Sequence, residues 1–150
     1  MINAIVCVDA SMVVPLLAPE AFSAQAERLW AQWVGARVGR VAPSLLKYEV
    51  TGSLRKKARK GLLRADQAEA ALARLFRLQI QFYDMQELHR QALLLAGQLN
   101  QPTAYDSHYL ALAELLDCAF WTADERLFNG VKGGVERVRW IGAGDPGGAR

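Results

Sequence analysis

The chain has only two cysteines and two histidines in 150 residues, which leaves little of the soft-ligand chemistry a small domain can use. Cys7 falls in the first predicted strand and Cys118 just before the fourth, without Cys-x-x-Cys spacing. Both read as small buried thiols rather than a disulfide framework or a zinc site. His89 and His108 read as isolated surface or satisfied helix residues, so no Cys/His cluster competes for a softer metal. Apolar residues make up 52% of the chain, but no uncharged run reaches the roughly 18 residues needed to span a bilayer. The apolar stretch 4–8 has no basic flank before it and no small-residue cleavage site after it. The sequence therefore predicts no secretory signal, no membrane partner and a cytoplasmic location. It has no internal repeat and no aromatic-rich strand motif of the kind that stacks bases.

What is present fits one domain, since a chain of this length buries a single core comfortably and two poorly. Strand and helix patterns alternate: strand 4–8, helix from about 12, helix 21–34, strand 38–42, helices 44–60 and 65–78, strand 80–83, helices 86–100 and 104–117, strand 119–122, helix 124–129, strand 137–141. Parallel strands need crossover connections and those helices cover the sheet, so the expected class is α/β, a three-layer α/β/α fold with a central, mainly parallel sheet. The strands IVCV and AFWT are continuously apolar, as doubly covered strands should be.

Several boundaries carry a physical cause. Ser11 is the expected cap of the first helix, and Pro43 or Ser44 opens the third. Gly61 ends the third helix, where a left-handed residue is wanted. Phe22, Ala26, Leu29, Trp30 and Trp33 form one helical stripe, read as core, with a partner interface as its other use. The end, GAGDPGGAR, is too poor in apolar side chains to order itself, so the domain is expected over 1–142 with a frayed tail at 143–150.

Net charge is +3 and the sequence pI about 9.1, a mild excess compatible with a polyanion. Its distribution says more: Arg55 to Arg64, RKKARKGLLR, holds six basic residues and no acids. From charge alone a solvated helix face is the plainer reading.

Four of the fifteen acids stand out in combination, although Asp106 and Asp124 taken singly also suit a helix N-terminus. Asp9 follows the first strand, and Asp124 follows Thr122 at the end of the fourth. Glu49 and Asp106 border the apolar faces of their helices. Asp84 also follows a strand, but Glu87 stands three residues on, an Asp-x-x-Glu arrangement that assigns it to capping. In open parallel sheets the carboxyl ends of the strands form the ligand crevice, at the switch in strand order. If the strands are parallel neighbours, the four carboxylates converge there. Ser53, Lys56 and Lys60 lie nearly in line with Glu49 on the third helix. A clustered set of carboxylates needs a cation to stay ionised, and oxygen ligands select a hard one, Mg²⁺ or Mn²⁺. One or two such ions can activate a water for in-line attack on a phosphodiester. Lys56, Lys57, Arg59 and Lys60 beside the pocket would hold a phosphate backbone without reading sequence.

The segments VDAS (8–11), YEVTGSLRK (48–56), TAYDSHYLALAE (103–114) and TADERL (122–127) resemble, in order and spacing, the signature blocks of the PIN-domain nucleases, in particular the VapC-type toxins of toxin–antitoxin pairs. The resemblance implies that Asp9, Glu49, Asp106 and Asp124 are the family's acidic quartet and Thr122 its supporting hydroxyl. Gly52 departs from the Asn common in relatives, which would alter hydrogen bonding around the quartet but leave it complete. The resemblance also implies an RNA substrate, a homodimer, and a VapB-like antitoxin whose tail enters the active-site groove. The aromatics of the second helix and the 65–78 helix are candidate surfaces for those contacts. A haloacid-dehalogenase-type phosphatase would need Asp-x-Asp where this chain has Asp9 and Ser11. A response-regulator receiver would need an acidic pair before the first helix. A catalytically silent PIN-like scaffold is the remaining alternative, although such members usually lose the acids that are present here.

Overall fold

The computed structural model describes residues 4–131 and 136–143. Five strands, β1 (Ile5–Val8), β2 (Gly39–Pro43), β3 (Ile80–Tyr83), β4 (Ala119–Thr122) and β5 (Val138–Trp140), form one sheet of order β3-β2-β1-β4-β5. Every pairing is parallel. The chain winds outward from β1 to β3, then returns to the other side of β1 for β4, which puts the switch in strand order between β1 and β4. Val8 lies opposite Trp121, so the next residues, Asp9 and Thr122, leave the sheet side by side.

Helices α1 (Ala10–Leu17), α2 (Ser23–Gly35), α3 (Leu45–Arg59) and α4 (Ala65–Leu75) lead through β2 to β3, with α1 packed on α2, α3 and α4. Helices α5 (Gln86–Gln98) and α6 (Ser107–Leu115) pack on each other, and α6 lies across β1, β2 and β4. The short α7 (Glu125–Val131) joins β4 to β5. The result is the expected three-layer α/β/α arrangement. Its core is continuous through the sheet: Cys7, Val8 and Phe120 on the strands, Met12, Val13, Leu46 and Val50 from α1 and α3, Leu110 and Leu112 from α6. Both cysteines are free and buried. Among the described residues no helix is long and apolar enough to cross a membrane. The expected tail falls, from residue 144 onward, outside the described residues.

Trp30 and Trp33 are core, each 7% exposed. Trp33 meets Trp30 and Trp121 edge-on, with ring centroids 5.7 and 6.0 Å apart. That settles the two uses weighed for this stripe and removes the α2 tryptophans as a partner surface.

Two capping expectations are corrected. Helix α1 begins at Ala10, directly after the strand, so the cap falls on Asp9, whose backbone is still extended and whose Oδ1 accepts the Met12 N–H at 3.2 Å. Ser11 is already inside the helix. At α5 the cap position is Met85, one residue beyond Asp84, and no side chain caps it. The Asp-x-x-Glu spacing is therefore out of phase with the helix: Asp84 accepts from His89 and Glu87 pairs with Arg90 instead. For α3, Pro43 remains the last residue of β2 and Ser44 takes the cap position without a side-chain bond.

Gly61 closes α3 as expected, at φ +77°, with the Leu62 N–H reaching the Lys57 carbonyl at 2.9 Å. A Cβ there would meet nothing within 4 Å, so its cost is purely that of the left-handed backbone. Gly61→Ala should destabilise the fold by about 1 kcal/mol. Thermal unfolding should register this as a fall in Tm of about 3 °C, and an unchanged Tm would remove the strain argument.

Candidate active site

Asp9, Glu49, Asp106 and Asp124 come from four separate segments, and all four line one pocket of about 340 Å³ at the carboxyl ends of β1 and β4. Ser11, Gly52, Ser53, Lys56 and Tyr109 complete most of its wall. The parallel pairing of β1 with β4 brings Asp9 and Asp124 together, while α3 and the start of α6 supply Glu49 and Asp106.

Asp9 is the deepest of the four, 4% exposed. Its Oδ1 accepts from the Ser11 hydroxyl at 2.6 Å and from Met12 N–H, and its Oδ2 accepts from the Thr122 hydroxyl at 2.5 Å. Each hydroxyl has one proton and spends it on Asp9. Each oxygen then serves as an acceptor for the chain after β4: the Ala123 N–H donates to Ser11 Oγ at 2.8 Å and the Asp124 N–H to Thr122 Oγ1 at 3.0 Å. Ser11 and Thr122 thus tie the ends of two neighbouring strands around one carboxylate. Burial pushes that carboxyl up to about 7, against the downward pull of its hydrogen bonds to Ser11, Thr122 and Met12, and the nearby Asp124 raises it further.

Asp124 is half-buried and caps α7 as well, its Oδ1 accepting the Leu127 N–H at 3.1 Å. Glu49 accepts a hydrogen bond from the Tyr109 hydroxyl. Its carboxyl is shifted upward by burial, offset by Tyr109, and raised also by Asp106. Asp106 occupies the cap position of α6 but makes no capping bond, which leaves its carboxylate to the mouth of the pocket. Loss of surrounding water and the charge of Asp124 shift it upward, while Arg126 pulls it down. The donor set is oxygen throughout, from carboxylates and hydroxyls, the chemistry of a hard divalent ion. Among the described residues, however, no group of three or more His, Cys, Asp or Glu side chains stands as a ready metal cluster.

The basic run divides. Lys56 lines the pocket, whereas Lys57 points to Glu20, with which it pairs at 2.8 Å. Arg59 and Lys60 are exposed at the end of α3 and outside the pocket wall.

Sequence reasoning missed the role of Ser11 beside Asp9, and that of Tyr109, whose ring fits the buried face of α6 by its spacing alone. Nor are the histidines isolated. His89 Nδ1 and His108 Nε2 lie 2.9 Å apart, His89 Nε2 is 2.8 Å from Asp84 Oδ1, and His108 Nδ1 is 2.6 Å from the Ala104 carbonyl.

A parallel sheet with its switch at β1 and β4, and acids gathered at that switch, belong to a known class. Residues 6–133 match the PIN domain family, and the chain is a member of it. Within that family it is closely related to the VapC-type toxins. It is 36% identical over 122 residues to ribonuclease VapC3 of Pyrobaculum aerophilum, a match covering 80% of this chain and 89% of the relative. Its fold matches a toxin–antitoxin complex from Klebsiella pneumoniae (TM-score 0.65, 16% identity, 93% of this chain and 98% of that one). It also matches VapC20 of Mycobacterium tuberculosis, described as a sarcin–ricin loop cleaving toxin (TM-score 0.62, 19% identity, 87% and 97% covered). At these identities the two solved structures speak for the fold alone.

Proposed function

We propose that this chain is a divalent-metal-dependent endoribonuclease and the toxin of a toxin–antitoxin pair. The observation that carries the proposal is the meeting of four carboxylates from four segments in one pocket with a lysine on its wall. The relatedness to ribonuclease VapC3 supports RNA as the substrate, and membership among the VapC-type toxins supports an antitoxin of VapB type as partner. A homodimer and a cytoplasmic location belong to the same reading.

The residues fit a hard ion. Asp9, Glu49 and Asp106 are all shifted toward the neutral form, first by burial and then by an acidic neighbour, and a bound cation would favour their charged forms. Asp9, Glu49, Asp106 and Asp124 would hold Mg²⁺ or Mn²⁺. When bound, such an ion supplies an activated water and neutralises charge on the phosphate under attack. The chain's own part is positioning. Ser11 and Thr122 fix both oxygens of Asp9, Tyr109 fixes Glu49, and Lys56 offers a cation to a phosphate entering the pocket.

Tyr109 is the most separable of these roles, because Phe keeps the ring that stacks on Phe120 with centroids 5.9 Å apart and removes only the hydroxyl. Tyr109→Phe should weaken metal affinity or activity by roughly 10–100-fold, the usual effect of losing a hydrogen bond behind a ligand. A metal titration of the activity would show it as a rightward shift.

The whole reading is tested by incubating total RNA with antitoxin-free protein in Mg²⁺ or Mn²⁺ and in EDTA. Discrete fragments that appear only with metal support it. RNA bound but left whole under every metal would favour a silent scaffold.

A further inference from the structure

Next to the acid pocket is a second hollow of about 300 Å³ whose walls include Tyr48, Tyr83, Tyr105, Asp84, His89 and His108. The two hollows divide two pairs of neighbouring residues between them. On α3, Tyr48 faces the second hollow and Glu49 the acid pocket; before α6, Tyr105 faces the second and Asp106 the first. Successive helical residues diverge by about 100°, so one turn of α3 presents an aromatic ring to one hollow and a carboxylate to the other.

We propose that the second hollow is a nucleobase subsite, which takes an unstacked base of single-stranded RNA next to the phosphate held in the acid pocket. The proposal rests on the nuclease reading above. Its occupant must join an anionic group suited to a metal-loving, lysine-lined pocket to a flat, π-rich group suited to an aromatic one, and a nucleotide joins the two in a single unit. Tyr48 and Tyr105 are 75% and 63% exposed, unusual for rings of this size standing together beside a cleft. Tyrosine and histidine faces are the surfaces on which splayed RNA bases stack. The imidazoles are already fixed. Because the Ala104 carbonyl can only accept, His108 Nδ1 is the donor to it, and bonds to His89 and on to Asp84 hold both rings, with centroids 5.0 Å apart at 67°. Rings held before the ligand arrives, as these two imidazoles are, lose little entropy on binding. The hollow is also small, at the lower end of the size of small-molecule sites, which suits one base better than a helix or a side-chain cluster.

The test uses Asp9→Asn protein, to prevent turnover, and two fluorescent single-stranded probes of equal length: a mixed-sequence oligoribonucleotide and its abasic ribose-phosphate counterpart. The Asp9→Asn protein should bind the base-bearing probe about ten-fold more tightly than the abasic one. Adding Tyr48→Ala or Tyr105→Ala should abolish that preference and leave abasic binding unchanged. Both tyrosines are exposed, so the fold should survive; Tyr48→Leu, which keeps apolar area without an aromatic face, should lose the preference as well. Retention of the preference in all these variants overturns the subsite. So does a change confined to oligomeric mass by light scattering, which would assign the hollow to a second copy, or to antitoxin affinity alone, which would assign it to that partner. Failure of the nuclease reading is separate: it appears as wild-type protein that leaves RNA whole in every metal.

Discussion

Asp9→Asn and Asp106→Asn should each lower RNA cleavage by on the order of a hundred- to a thousand-fold or more, the scale on which a preorganised charge at a phosphoryl centre contributes. Neither should unfold the protein. Asp9 is the harder case because it is buried and joins two strand ends, yet Asn preserves its shape. The amide oxygen still accepts from one hydroxyl, and the other hydroxyl can turn to accept from the amide NH₂. The variant also removes a carboxylate that burial disfavours in its charged form. Circular dichroism should match wild type for both variants, and metal-free Asp9→Asn should unfold no lower in temperature than metal-free wild type at neutral pH, while cleavage in Mg²⁺ or Mn²⁺ falls by the stated factor. If both variants cleave at the wild-type rate, with contaminating nuclease excluded, the quartet is not the active site.

The metal-free protein should become less stable as pH rises from about 4 to about 7, the reverse of the usual carboxylate effect. In the folded chain the Asp9 carboxyl titrates at about 7, against an ordinary 3.8. Between those values the folded state holds a proton that the unfolded state has released. Stability therefore falls across the window, by about 1.4 kcal/mol per pH unit, and levels off above it. Glu49 and Asp106, also shifted upward, add to the same slope. The total for Asp9, which is almost wholly buried, is a few kcal/mol, a large share of a small domain's stability. Saturating Mg²⁺ or Mn²⁺ should restore the loss above pH 7, because a ligand of the folded state stabilises it by mass action. Urea unfolding in EDTA at several pH values should show the decline. Asp9→Asn should flatten it and blunt the response to metal. Stability that rises through this window in EDTA, or a slope unchanged in Asp9→Asn, would contradict the account of Asp9.

The sheet and its order of helices were legible because apolar runs of strand length alternate with helical stripes, and every predicted strand is present within a residue or two. The helix ends were less so. Four turns into or toward the next element pass through left-handed residues that are not glycine, Arg37, Gln79, Asn100 and Asp117. Asn100 and Asp117 are residue types that favour that conformation, but Arg37 and Gln79 are not, so the helix predicted to run to 78 stops at Leu75 without a signal. Gly61, in the same role, was readable.

The site divides in the same way. Asp9 and Asp124 could be found because they stand where strands end, and Glu49 because a carboxylate at the edge of an apolar stripe is out of place. The Tyr109 hydroxyl could not, since its ring already satisfied the helical pattern and its partner is 60 residues away. Asp84, His89 and His108 were each given a local explanation, but their common network exists only once α5 packs on α6.

Whether the four carboxylates jointly hold a hard divalent ion is decided by titrating Mn²⁺ into metal-free wild-type, Asp9→Asn and Asp106→Asn protein and following bound ion by electron paramagnetic resonance. The expected result is saturable binding to wild type that Mg²⁺ displaces, and its loss in both variants. Equal binding by all three proteins, or none by wild type, would contradict it.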